Sequence, residues 1–214
     1  MKKIAFFMCG LCVALFMSCT TNTTGTENGH EWVDLGLPSG TKWATCNVGA
    51  STPEEYGNYY AWGETETKST YSWSTYFDTT DGGSTFTKYT TDGKTVLDLE
   101  DDAARANWGG AWRMPTDGEW GELLDECTWE WTTKNGVNGY EVKSEANGNS
   151  IFLPAAGYRD FGGLDGAGDY GYYWSSSLGS GSPYFAWYVY FNSGDVGGSL
   201  SIRCRGYSVR PVFK

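Results

Sequence analysis

Trp108-Gly-Gly-Ala-Trp-Arg-Met-Pro-Thr-Asp-Gly-Glu-Trp120-Gly-Glu-Leu-Leu124 carries the clearest structural signal in the 214-residue chain. Thr116, followed three residues later by Glu119, has the spacing of a capping box, in which each side chain takes up a backbone N–H that the first helical turn leaves unpaired. A helix is expected to start here. Trp120, Leu123, Leu124 and Cys127 recur at i, i+3, i+4 and i+7, an apolar stripe that has to be buried, here against a sheet. Upstream, Asp98 to Asp102 place negative charge before a second short helical run through Ala103, Ala104 and Ala106, which Gly109-Gly110 ends. Two short helices meeting at a tight corner are expected mid-chain.

Toward the N-terminus, Lys2 and Lys3 precede an apolar run from Ile4 to Met17. It is shorter than the roughly 20 residues that span a bilayer, but suits a signal-peptide core. The chain reads as exported. Ser18-Cys19 closes that run and resembles the lipobox of bacterial lipoproteins, which implies residues 1–18 as signal peptide and Cys19 as the lipid-attachment residue. The implied partner is a membrane reached through the lipid anchor, and the implied location is the bacterial envelope, at an outer membrane facing either periplasm or surface. The polar stretch that follows holds no apolar residue from Thr20 to Asn28, and residues 19–30 read as a flexible tether. Residues 31–214 then form a single domain with room for a real core and no internal linker or repeat.

The formal net charge is −11, and more negative still once Lys2 and Lys3 leave with the signal peptide. A chain so acidic repels nucleic acid, so no nucleic-acid partner is expected. The 11 tryptophans all lie in the domain, and the chain has 30 glycines. This composition suits a β-dominated fold rich in loops, where large aromatics bury area that short strands alone do not.

Short strands are expected for Glu31–Leu35 and Thr41–Cys46, joined through Pro38-Ser-Gly40. Tyr56 to Thr90 reads mostly as ordered loop pinned by Tyr59, Tyr60 and Trp62. Phe86–Tyr89 and Lys94–Leu97 are expected to pair around Asp92-Gly93. After Cys127 the period changes from 3.6 to 2, with Trp129 and Trp131 on one side, and Asn135-Gly136 and Asn147-Gly148 punctuate a three-stranded meander ending in Ser150–Leu153. Asp160 to Gly171 reads as a long glycine-rich loop. Tyr184–Phe191, Leu200–Cys204 and Tyr207–Phe213 are expected as terminal strands around a turn at Asn192 to Asp195.

WVDLGLPSGTKWATCNVGA, GNYYAWGET, WGGAWRMPTDGEWGELL, CTWEWTTKNGVNGYEVKS, GNSIFLPAAGYRD, GYYWSSS and GYSVRPV follow one another in this order. Together they resemble the Fibrobacter succinogenes major paralogous domain family, over nearly all of residues 31–213. RMPTDGEW is also similar to the RLPTEAEW element of the formylglycine-generating, sulfatase-modifying family, and GYSVRPV to that family's terminal strand. The resemblance implies an α+β, C-type-lectin-like (sulfatase-modifying-factor-like) fold, with two short helices, several short antiparallel strands and long ordered loops. It implies no catalytic residues. The copper-holding cysteine pair of the sulfatase-modifying oxidases is not matched, since only Cys204 lies in that region. Nor do the Glu-Pro-Asn, Gln-Pro-Asp or Trp-Asn-Asp triplets of calcium-dependent lectins occur in the chain.

His30, the only histidine, sits at the edge of the tether, which removes schemes that need an imidazole held within the fold. Glu64, Glu66, Asp98, Glu100 to Asp102 and Glu119 read as solvated charges and caps rather than a hydrolase pair. Arg113, Thr116, Glu119 and Trp120 read as structural residues of the corner. Cys46, Cys127 and Cys204 allow one bridge in an oxidising compartment, and Cys46–Cys127 is the expected pair because it would fasten the first hairpin to the central helix. Asp160, Asp165 and Asp169 raise the alternative of a calcium loop, but without Asp-x-Asp-x-Asp-Gly spacing plain loop chemistry is the reading adopted, with no metal and no cofactor. Tyr158, Arg159, Asp165, Asp169, Tyr170, Tyr172 and Trp174 cluster around the same loop, and aromatic faces beside acidic groups suit stacking on a sugar or a partner's hot spot. The expected function is that of a non-enzymatic module binding a glycan or protein ligand. The alternatives are a structural subunit of a surface appendage or envelope complex, and a carbohydrate-active hydrolase.

Overall fold

A computed structural model describes residues 23–83, 85–90, 93–161 and 163–214. The expected signal peptide, Cys19 and Asp92 lie outside the described residues. The architecture is α+β: two short helices and many short antiparallel strands in several sheets.

The helical corner forms as its sequence dictates. In α2 (Asp117–Asp125) Thr116 Oγ1 accepts from the Glu119 N–H at 3.2 Å while a Glu119 carboxylate oxygen accepts from the Thr116 N–H at 2.9 Å, closing the capping box. Trp120 and Leu123 are buried in the core and Leu124 packs at its edge. Upstream, Asp102 caps α1 (Ala103–Trp108) by accepting from the Arg105 N–H at 3.0 Å. Its other oxygen accepts from Met114 N at 2.7 Å, tying the end of the corner back to its beginning. Gly109, at φ 66, ends α1 in a conformation that other residues seldom adopt.

β1 (Thr24–Glu27), β2 (His30–Asp34), β3 (Lys42–Ala44) and the last strand, β12 (Val212–Phe213), make one antiparallel sheet in the order β1-β2-β3-β12. β4 (Cys127–Lys134), β5 (Val137–Ser144) and β6 (Ser150–Pro154) form the expected meander. A small hairpin, β7 (Tyr158–Asp160) with β8 (Gly163–Asp165), leads into β9 (Tyr170–Leu178), which pairs with β10 (Phe185–Asn192), itself paired with β11 (Asp195–Ile202). The first core cluster joins α2 to Trp43, Val142, Leu153, Tyr173 and Phe191. A second, around Trp62, Trp112, Trp174 and Tyr207, lies on the other side of β9–β10.

Several expectations give way to tertiary pairing. Residues 24–30 are not free tether: β1 pairs with β2 across Asn28-Gly29, whose φ values of 45 and 84 are those of a tight hairpin turn. Glu27 and Asn28 then dock on the corner, where Ala111 N donates to Glu27 at 3.0 Å and the Trp112 indole to the Glu27 carbonyl at 2.8 Å. Phe86–Tyr89 and Lys94–Leu97 do not pair with each other. Phe86 bridges to Thr79, Val96 bridges to Ser177 of β9, and Tyr89, fully buried at φ 56, breaks the extended run. The expected Asp160–Gly171 loop holds β7's last residue, β8 and the start of β9. The stretch from Tyr207 to Phe213 is a strand only at its end; before that it makes single bridges, Tyr207 to Tyr60 and Ser208 to Tyr173.

Two arginines near the C-terminus are fully buried. Arg203 pairs with buried Asp78, donates to Tyr76 Oη at 3.0 Å and lies 4.9 Å from the Trp62 ring and 4.7 Å from that of Phe86. Arg210 meets no carboxylate among the described residues. Its guanidinium donates to Asn47 Oδ1 at 2.9 Å and to the carbonyls of Ala44, Thr45 and Phe152 at 3.0, 2.9 and 2.9 Å. This fork geometry is one that an ammonium does not reproduce. Arg210→Lys is therefore expected to cost about 2–4 kcal/mol, since it leaves buried carbonyls unpaired around a buried charge; a urea midpoint equal to that of the native chain would refute this role.

Candidate functional site

The surface around β9 and β10 is built by alternation. Tyr170, Tyr172 and Trp174 fall on one face of β9, and the register sets Tyr190 opposite Tyr172 and Tyr188 opposite Trp174. The rings stack in a continuous row. Centroids are 6.2 Å apart for Tyr170–Tyr172, 5.9 Å for Tyr172–Tyr188 and 5.2 Å for Tyr172–Tyr207, with interplanar angles of 27°, 28° and 30°. Trp174 and Tyr207 stack at 4.3 Å beneath it. Burial pushes the Tyr172 phenol up to about 12, which keeps that hydroxyl a neutral donor at ordinary pH.

Five of the seven residues expected to bind ligand meet around this row. Tyr158 packs edge-on against Tyr172 at 5.2 Å and donates to Asp165 at 3.1 Å. Asp169 is exposed beside Tyr170 at the start of β9. The other two lie elsewhere. Trp174 is fully buried, its indole donating to the Tyr60 carbonyl at 2.9 Å. Arg159 points away because neighbouring residues of a strand face opposite sides; its guanidinium sits 5.2 Å from the Tyr59 ring.

Sequence reasoning missed Tyr188, Tyr190 and Tyr207, which reach the row only through strand pairing. It also missed Phe161, 79% exposed at the tip of the β7–β8 hairpin with φ 43. A bulky residue at positive φ stores strain, and here the strained backbone holds an aromatic side chain in water. Leu164, 44% exposed, lies opposite Arg159 on the other face of the β7–β8 hairpin from Tyr158, while Tyr170, 42% exposed, ends the row. The hydroxyls of Tyr170 and Tyr172 have no partner among the described residues.

Asp160, Asp165 and Asp169 do not gather around a common point. Asp160 lies 3.5 Å from Arg205 and Asp165 takes the Tyr158 hydroxyl. Among the described residues the one trio of such groups close enough to share an ion is Asp98, Glu100 and Asp101, already bound by Lys88 and Lys94. The Cys46–Cys127 bridge is not formed: Cys46, Cys127 and Cys204 are free, with Cys127 buried in the first core cluster and Cys204 in another. Burial pushes the Cys127 thiol up to about 11 and that of Cys204 to about 12, which disfavours the thiolate needed for exchange. His30 stacks flat on Trp108, centroids 3.7 Å apart, and burial lowers its pKa.

Comparison with known proteins gives no match to a family model, a curated protein or a solved structure. Among the described residues no helix is long and apolar enough to cross a membrane.

Arg113, Thr116 and Glu119 form one structural network. Arg113 grips both Glu119 oxygens, the Nη1 bond at 2.7 Å, and Thr41 Oγ1 adds a third donor at 2.9 Å. Burial works against the Glu119 charge, but hydrogen bonds from Arg113 and the Thr116 N–H, with the Arg113 charge, outweigh it and hold the carboxyl at about 2. A carboxyl depressed on folding stabilises fully above its unfolded pKa and loses that contribution as pH falls through the folded one. Acid titration of stability should therefore show native protein losing more than Glu119→Gln between pH 4.5 and about 2. At neutral pH the variant is expected to be less stable by about 3 kcal/mol; parallel pH profiles would sink the assignment.

Proposed function

We propose that this protein is a lipid-anchored envelope protein of C-type-lectin-like fold, related to the Fibrobacter succinogenes major paralogous domain family, that binds a ligand rather than catalysing a reaction. The ordered motifs from WVDLGLPSG to GYSVRPV support the kinship. The α+β layout around the capped α2 corner is consistent with it. The anchor is Cys19, and β1, beginning at Thr24, would keep the domain close to the bilayer.

The observation that carries the binding role is the exposed rim of the stacked tyrosine row, which ends at Tyr170. Rings stacked on one another give up their faces to neighbours. What they offer outward is edges and hydroxyls, with the outer face of Tyr170 beside them. Such a surface suits a protein hot spot better than a sugar laid flat on aromatic faces, and its acidic residues Asp165, Asp169 and Asp195 disfavour an anionic ligand. Glycan recognition here is the second reading, supported by the free Tyr170 and Tyr172 hydroxyls. Assembly into a larger envelope structure would use the same rim as a subunit contact.

Tyr170→Ala with Tyr172→Ala is expected to weaken binding to the partner captured from envelope extract, or to a glycan on an array, by about thirtyfold with little change in thermal midpoint. Unchanged binding in the double variant, or no ligand in either assay, would overturn the reading. Cys19→Ser should abolish acyl labelling and release the protein from the membrane fraction; retention there would exclude the anchor.

A further inference from the structure

The opposite side of β9–β10, against α2, holds a separate cleft of about 260 Å³ lined by Asp117, Trp120, Gly121, Leu124, Trp187 and Gly198 among others. Three features of its walls lack a structural reason. Trp187 is half-exposed, and of the 11 tryptophans it is the one whose ring meets no aromatic or cationic partner among the described residues. Gly121 sits inside α2, where glycine is unfavourable relative to alanine, yet a Cβ there would meet nothing within 4 Å. Gly198, inside β11, shows the same: the nearest atom to an added Cβ is the Tyr188 carbonyl oxygen at 3.9 Å. Neither glycine has a positive φ. Both give up stability and return only space, and the space is in the same cleft.

The chemistry of the walls is divided. Trp187, Leu124, Val189 and Trp120 make an apolar side. At the mouth, Asp117 and Ser177 are locked together: the Asp117 N–H donates to Ser177 Oγ at 3.0 Å, and that hydroxyl donates to Asp117 Oδ1 at 2.8 Å. Asp117 is exposed, and its Oδ2 has no hydrogen-bond partner among the described residues. The strand register shifts here, with three β9 residues, Ser175 to Ser177, spanning the single β10 residue Trp187. Such an irregularity re-aims side chains, and is common beside functional sites.

We propose that this cleft binds one neutral pyranose ring. The C–H face of the sugar stacks on Trp187, and a ring hydroxyl donates to Asp117 Oδ2. The volume falls below that of sites for drug-sized ligands, which run from roughly 300 Å³ upward, and suits a single ring. An acidic sugar is disfavoured by Asp117 and by the net charge of −11. The groove continues past Asp117 and Trp187 along Ser177 to Gly181, leaving room for a glycosidic extension. Of the tyrosine row only Tyr188 also lines this cleft, and Tyr170 and Tyr172 do not.

The test is saturation-transfer NMR of the domain with the methyl glycosides of glucose, galactose, mannose and N-acetylglucosamine, and with p-cresol as a mimic of an aromatic side chain. Transfer to at least one glycoside, saturable at millimolar concentration, is expected. It should be lost in Trp187→Ala and in Gly121→Leu, and kept in the Tyr170→Ala, Tyr172→Ala double variant. Gly121→Leu guards against misfolding, because it fills the cleft while favouring the helix, so its thermal midpoint should not fall. No transfer to any glycoside, transfer to p-cresol alone, or glycoside binding undiminished in stably folded Gly121→Leu would each overturn the proposal.

Discussion

The guanidinium of Arg210, buried with four neutral oxygen acceptors and no carboxylate, is the constraint on which the rest of the molecule turns. A charge placed so deep is tolerable only where its donors are met, and its partners come from the segment after β3 and from β6. Around it the C-terminal segment threads the interior. Its backbone pairs in turn with Arg159, Tyr60, Tyr172 and Trp174, Val48, Ala44 and Arg113. The last ten residues therefore act as a seam that joins sheets formed separately earlier in the chain. Arg203 does the same with aromatic rings and Asp78, fixing the long loop that carries Trp62, Tyr76 and Phe86.

This way of building explains the composition. Short strands and irregular loops bury little aliphatic area, so large aromatics fill the two core clusters on either side of β9–β10. Where that filling reaches the surface it leaves aromatics in water on both sides of one sheet: the tyrosine row on one, and the lone Trp187 beside α2 on the other. The two differ in what they present. Stacked rings offer edges and hydroxyls, whereas an unpartnered indole in a cleft shared with two glycines offers a face.

Much of the local structure was legible. The Thr116–Glu119 box, the Asp102 cap and the meander around Asn135-Gly136 follow from interactions between residues close in the chain, where spacing alone fixes geometry. Asn28-Gly29 carries the same kind of signal, but the polar composition around it reads as tether and hides β1. Lys94–Leu97 reads as half of a hairpin with Phe86–Tyr89, but its hydrogen bonds go to β9, some 80 residues away. Tyr158, Tyr170 and Tyr172 could be gathered into one candidate site because they lie near one another in the chain. Tyr188, Tyr190 and Tyr207 could not, since register between distant strands brings them in.

The sequence by itself determined the acidic charge, the capped corner, the short-strand α+β character and the glycine-punctuated turns, because each depends on composition or on contacts within a few residues. Only the tertiary structure decided that Cys46 and Cys127 remain separate thiols, that Trp174 is interior while Phe161 is not, and that two unforced glycines face Trp187 across an open cleft. The physical reason is that burial and vacancy belong to the packed whole. A side chain's neighbours across a sheet are set by the closing of the C-terminal seam, which no local pattern encodes.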